Sequence, residues 1–243
     1  METPSEMKDH IMKIAGQDAY IDSIFNYCDR WCEKCSFTSK CRSYAISENE
    51  PKTDGTELFE YLSKVFKATM IMLDKMMKEM GIDLKELEKI ELPERSDPKK
   101  HPLYKKVYAL SGSMHDWLKE NKPGEFPGET EIISQDEIRN TRFHESIEVI
   151  YWYNFFISAK IFRALGGMEY DGEDEIQNDS NGSAKIALIS IDRLIGAWSV
   201  VMENMKDHED TILKFLISLT DVRKHTEATF PNARKFMRPG FDQ

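Results

Sequence analysis

The chain has 243 residues, of which 40% are hydrophobic and 31% charged, with a formal net charge of −10. That balance belongs to a folded, soluble chain rather than a disordered one, and the acidic surplus argues against broad nucleic-acid binding, which needs a basic face to neutralise phosphates. No run approaches the ~20 apolar residues of a membrane span, and Met1-Glu2-Thr3-Pro4-Ser5-Glu6 shows no basic stretch leading into an apolar one, so the expected setting is the cytoplasm, away from membranes.

In chain order, apolar residues recur at helical spacing nearly everywhere, and no alternating strand pattern of useful length appears. Residues 5–31, with Ile11, Ile14, Ile21, Ile24 and Phe25, are expected to form one helix or two short ones, with Gly16 the weak point. Glu48 to Gly55 is loop chemistry. A helix then runs over 56–80, with Leu58, Leu62, Val65, Thr69, Met72 and Met76 on one stripe and Gly81 placed to stop it. Its methionines (Met70, Met72, Met76, Met77, Met80) read as adaptable core filler rather than a soft-metal or peptide groove.

Pro93, Pro98 and Pro102 mark a polar break, the last well placed to open a helix carrying Leu103, Val107, Leu110, Met114 and Trp117. Ser134 with Glu137 reads as a capping box. It opens a helix with no breaker before Gly166-Gly167, which would be about 50 Å long. On that helix Asn154 falls in the apolar stripe Phe143, Ile147, Ile150, Ile157, Ile161, where a buried amide is expected to fix register. The acidic stretch 169–182 lacks the register of a calcium loop and reads as a solvated linker. Ser183 is placed to cap a helix bearing Leu188, Ile191, Ile195, Trp198, Met202 and Met205, and a final helix over 209–228 turns Ile212, Phe215, Leu219 and Val222 inward. The fold expected is all-α, a bundle of about five to six helices. The division expected is an N-terminal helix and cysteine knuckle over 1–50, then the bundle over 51–243.

The four cysteines of the chain, Cys28, Cys32, Cys35 and Cys41, fall in one run spaced C-x3-C-x2-C-x5-C. Thiols this close bind a metal or cluster, or else cross-link. In a reducing compartment stable disulfides are uncommon, so metal ligation comes first. A structural zinc ion, held by four thiolates in a tetrahedron, is the leading expectation. An iron–sulfur cluster is the alternative, and free thiols or disulfides the third reading. If the first helix continues through the run, Cys28, Cys32 and Cys35 share a face, with Arg30, Lys34, Lys40 and Arg42 offsetting the thiolate charge. C-x3-C-x2-C also resembles the cluster-binding triplet of radical SAM enzymes. That family sets it after the first strand of a β/α barrel, and no βα alternation is present here.

Two further constellations bear on activity. His144 with Glu148, and Asp221 with His225, are each spaced i, i+4, so each pair could offer two ligands from one helix face. The Glu-x-x-His hallmark of ferritin-like di-iron proteins does not occur, and surface pairs are the expectation. Arg139-Asn140-Thr141-Arg142-Phe143-His144 reads R-N-x3-H, which resembles the motif of HEPN-type ribonucleases, small helical domains that use the Arg and His on RNA. The resemblance implies that Arg139 stabilises phosphate charge, His144 acts as general acid or base and Asn140 orients them. Three stretches resemble a set of uncharacterised bacterial helical proteins with no established activity: 28–35, 147–165 (Ile147 to Tyr153, and Arg163 to Leu165) and 179–193 (Asp179 to Lys185, and Asp192-Arg193).

The expected function is thus a metal-binding helical protein serving as a binding or scaffold module, with a protein partner or a second copy as possible company. The alternative is a helical RNA-cleaving or metal-dependent enzyme using Arg139 and His144. The tail, Arg223-Lys224-His225 through Arg234, Lys235 and Arg238, is basic in an acidic chain and is expected to lie across acidic surface of its own chain, such as the 169–179 loop, rather than to serve as a binding arm.

Overall fold

The computed structural model describes residues 3–47, 55–82, 96–121, 135–169, 172 and 174–242, with backbone alone at 15 and 135–140. No strand occurs among them. The α-helices are α1 (Pro4–Ala15), α2 (Arg42–Ser47), α3 (Thr56–Glu79), α4 (Pro102–Asn121), α5 (Gln135–Tyr153), α6 (Phe156–Gly167), α7 (Asp179–Asn204) and α8 (Glu209–Thr229), joined in places by single 3-10 turns. Contacts divide the chain into two compact units, one of Met1–Phe25, Arg30–Glu94 and Pro239–Phe241, the other of Asn26–Asp29, Arg95–Arg238 and Asp242–Gln243. In the smaller unit α3 packs on α1, and Asn26–Asp29, which includes Cys28, groups with the larger one.

In the smaller unit, α1 starts under a reciprocal cap in which Thr3 and Glu6 bond each other's backbone N–H groups. It stops at Gly16, so the first helix does not continue through the cysteines. Met7 and Ile11 of α1 pack on Tyr61, Val65 and Ala68 of α3. Gly81, at φ 69°, ends α3 in the left-handed conformation that glycine adopts without strain. The Met-rich end of α3 departs from expectation: Met70, Met76 and Met80 are exposed, because the face that α1 covers is the one through Tyr61, Val65 and Ala68.

In the larger unit, α7 is the axis, packing most extensively on α6, α8 and α5, while α4 lies against α8 and α6. Ala184, Ala187, Leu188, Ile191, Leu194, Trp198 and Val201 are all buried, so α7 is apolar on several sides, as a central helix must be. The predicted stripes of α4 (Leu103, Val107, Leu110, Met114, Trp117) and α8 (Ile212, Phe215, Leu219, Val222) are buried as expected. Two boundaries differ. α7 begins four residues before Ser183, because the Asn178 side chain accepts the Asn181 N–H and caps it. The long helix expected over 134–166 is interrupted at Asn154-Phe155. There the Asn154 amide donates to the Ser111 carbonyl at 3.1 Å, and the Ser111 hydroxyl donates back to the Asn154 carbonyl at 2.6 Å. Asn154 thus ties α4 to the junction of α5 and α6, a register contact. Ser134 and the linker residues 170, 171 and 173 lie outside the described residues.

The basic tail residues within this unit bond to their own chain. Arg223 and Arg234 both reach Asp192, Arg234 also holds Glu227, and Asp242 accepts from Arg238 and Lys185. Phe236 and Ala233 are buried. Of the acidic loop, the backbone carbonyl of Glu175 takes part, accepting from Asn232. The Arg238 guanidinium, and after it Lys185, holds the Asp242 carboxyl far below the usual carboxylate range despite partial burial. A depressed folded-state pKa stabilises above the unfolded value, about 3.9, and that stabilisation is lost as pH falls through the folded value. We expect the melting temperature to drop below pH ~4 more steeply in the natural chain than in Asp242→Asn. Parallel curves from pH ~5 down to ~2 would show that this contact does not hold the tail.

Candidate functional site

The four cysteines are half-buried thiols. Cys32 opens a 3-10 turn, and the Cys35 N–H closes it onto the Cys32 carbonyl at 3.1 Å. Cys35 itself leaves the turn in extended conformation, at φ −91° and ψ 126°. A second 3-10 turn, Thr38–Lys40, is closed by the Cys41 N–H on the Thr38 carbonyl and delivers Cys41 to the start of α2. Between the turns, the Phe37 N–H donates to Cys35 Sγ at 3.4 Å. Arg30, inside the C-x3-C step, has φ of 62°, a left-handed turn in a non-glycine residue. The expected charge neighbours are partly engaged: Lys34 Nζ lies 4.2 Å from the Trp31 ring centroid, and Arg42 donates to Asp22 at 3.0 Å. Among the described residues, no group of three or more His, Cys, Asp or Glu side chains is already placed to hold a metal ion.

Asn26 to Asp29, the segment bearing Cys28, is bound along its length by the helices of the larger unit. Lys160 of α6, itself buried, donates to the Asn26 carbonyl at 3.2 Å. The Tyr27 hydroxyl donates to Asp179 at 3.1 Å, and Arg163 holds the same carboxylate through two bonds of 2.9 and 2.6 Å. The Tyr27 ring packs on Phe236, centroids 4.6 Å apart, over Gly182 of α7. Trp152 of α5 donates its indole N–H to the Asp29 carbonyl at 2.9 Å.

The Asp29 carboxylate is the convergence point. It accepts from the Tyr153 hydroxyl at 2.6 Å and from Arg193 of α7 at 2.6 Å, and Arg193 also contacts the Tyr153 oxygen. Tyr153 is wholly buried. Burial, and then its bond to Asp29, pushes the phenol far above its ordinary range, so it stays a neutral donor. Asp29 and Tyr153 are 124 positions apart, which hides the contact from spacing arguments.

The remaining candidates lie on α5 and α8. Arg139 and Asn140 lie on α5, and their side chains are outside the described residues. His144, two turns from the start of the described helix, is half-buried beside the Phe143 ring. Glu148 is exposed on the same helix. Asp221 of α8 accepts from Lys106 of α4, and His225 Nδ1 sits 2.8 Å from the Asp221 carbonyl oxygen. The Lys106 bond leads in lowering the Asp221 carboxyl, which makes this an interhelical surface ion pair. Comparison with protein-family models, with curated proteins and with solved structures returns no match.

Proposed function

We propose that the chain is a metal-binding helical module in which Cys28, Cys32, Cys35 and Cys41 ligate a structural zinc ion, with an iron–sulfur cluster as the other occupant of the same thiols. The observation that carries this reading is the Phe37 N–H bond to Cys35 Sγ, just past the turn that closes Cys35 onto Cys32. A backbone N–H donated to a sulfur is the kind of outer contact that orients a metal ligand. A thiol site is seldom complete before its metal arrives, so binding and ordering of the 28–41 run are coupled. The clamp on Asn26–Asp29 supports the reading from the other side, since ligands carried on rigid, bonded backbone lose less freedom on binding. The helical bundle then serves as the body that presents the knuckle, a binding or scaffold role.

Metal content and the visible spectrum of anaerobically purified protein test it. Colourless protein with one zinc per chain is expected, whereas a brown, sulfide-containing preparation would assign the cluster. Cys32→Ser should lose the metal and loosen the cysteine run while the bundle keeps its helical circular dichroism, because its core is independent of the thiols. Full metal retention with unchanged melting would sink the site.

A further inference from the structure

We propose that the chain forms a two-fold dimer in which α3 pairs antiparallel with α3 of a second copy; the proposal is independent of the metal reading. The sequence of α3 carries a seven-residue repeat on the face that α1 leaves uncovered. Phe59, Phe66, Leu73 and Met80 recur at intervals of seven, with Leu62, Thr69 and Met76 at the intermediate step, and the six apolar side chains are 46–75% exposed. A strict period of 3.5 residues is the signature of a seam that takes a partner helix, since a single straight helix on a globular core follows 3.6. Here that seam points to solvent, while a neighbouring face through Tyr61, Val65 and Ala68 makes the contact with α1.

Three features favour a second copy as the occupant. The first is area. With Met70 added, the exposed portions of these side chains amount to roughly 800 Å², taking ~200 Å² for a fully exposed large side chain, which equals the ~800 Å² per partner of a standard stable interface. The second is charge. The positions flanking the seam on its two sides, Ser63, Met70 and Met77, and Leu58, Val65, Met72 and Glu79, include one charged residue, so two copies meet without like-charge repulsion. The nearby ions Asp74 and Lys78, and Lys75 and Glu79, are paired within the helix. The third is order along the helix. The aromatic residues lie in its first half and the methionines in its second, so antiparallel pairing sets Phe59 and Phe66 of one copy against Met80, Met76 and Leu73 of the other. Thioether on ring is a favourable contact, and the two helix dipoles oppose. A contact in which one patch meets itself closes as a dimer and leaves no open face.

Sedimentation equilibrium of the full chain tests the proposal. A dimer is expected at micromolar concentration, with a melting temperature that rises with concentration, as coupled dissociation requires. Phe66→Glu and Leu73→Glu should each weaken association at least tenfold while leaving helical circular dichroism unchanged, because both side chains are exposed within the single chain. Orientation is read by oxidation. Met70→Cys, near the centre of α3, should cross-link to its mate, while Phe59→Cys, about 30 Å from its mate in the antiparallel arrangement, should cross-link no more than the natural chain. A monomer at all concentrations would overturn the proposal, as would a dimer indifferent to both glutamate variants. Self-cross-linking of Phe59→Cys would overturn the antiparallel arrangement.

Discussion

Replacing Asp29 by alanine should destabilise the larger unit, and adding Tyr153→Phe should restore part of the loss. The carboxylate takes the Tyr153 hydroxyl at 2.6 Å and Arg193 at 2.6 Å, and Tyr153 has no exposed surface. With Asp29 truncated, the phenol keeps its proton but loses its strongest acceptor in a place water does not reach. A buried donor left unsatisfied costs about 1–3 kcal/mol. The Arg193 side chain is half exposed, so its share is screened and smaller. Removing the orphaned hydroxyl as well leaves apolar atoms facing one another, a change that is often close to neutral. Urea denaturation of the two single variants and the double one measures the coupling. Additive losses would mean that the bond contributes nothing beyond its parts. Since Asp29 follows Cys28, the single variant should also weaken metal binding if the proposed centre is correct, and the double variant should not recover it, because the anchor of the segment is still missing.

The interior of the helical unit was legible because it rests on short-range periodicity. Leu103 to Trp117 and Ile212 to Val222 sit inward where the 3.6-residue period put them. The same logic failed on α3, where apolar residues occupy two faces and period alone does not say which one α1 covers. It placed Asn154 inside but missed the helix break there, which goes with Ser111, 43 positions away. It could not fix the start of α7, because Asn178 and Ser183 are both competent caps and the choice goes with Asp179, which Arg163 and Tyr27 hold at the first turn. Of the candidate centre, cysteine spacing revealed the ligand set and nothing of its support. The residues that grip Asn26–Asp29 are a lysine, two arginines, an aspartate and aromatics, types that occur on any helix surface. Their meaning comes from long-range contact, and a single sequence carries no signal of that. The basic tail was the intermediate case: its charge asymmetry pointed to intramolecular pairing, while the choice of Asp192, Glu227 and Asp242 as partners depended on the packed geometry.

The largest effect of a small change is expected at Gly182. It lies in the first turn of α7, in helical conformation, so its value here is the absence of a side chain rather than backbone freedom. A Cβ at this position would stand 2.3 and 2.5 Å from two carbons of the Tyr27 ring and 2.8 Å from the Phe236 ring. These distances are well inside van der Waals contact, and both rings are wedged: Tyr27 by its bond to Asp179, Phe236 by burial. Helix propensity alone would favour alanine over glycine by about 1 kcal/mol. The clash runs the other way, and overpacking of this kind costs about 1–3 kcal/mol. Gly182→Ala should therefore be destabilising on balance, and Gly182→Val more so. The loss should be specific in place. Tyr27 must move to admit the new atom, which breaks its bond to Asp179 and releases the backbone on which Cys28 rides. Hydrogen exchange of Gly182→Ala would show faster exchange for Asn26–Asp29 and for the first turn of α7, with the amides of α8 protected as before. Shortening Tyr27 at the same time, as Tyr27→Ala, removes the two closest contacts and leaves that with Phe236, so Gly182→Ala should cost less in that background than in the natural chain. A Gly182→Ala variant as stable as the natural chain, with no change in exchange at Asn26–Asp29, would show that this packing does not hold the segment.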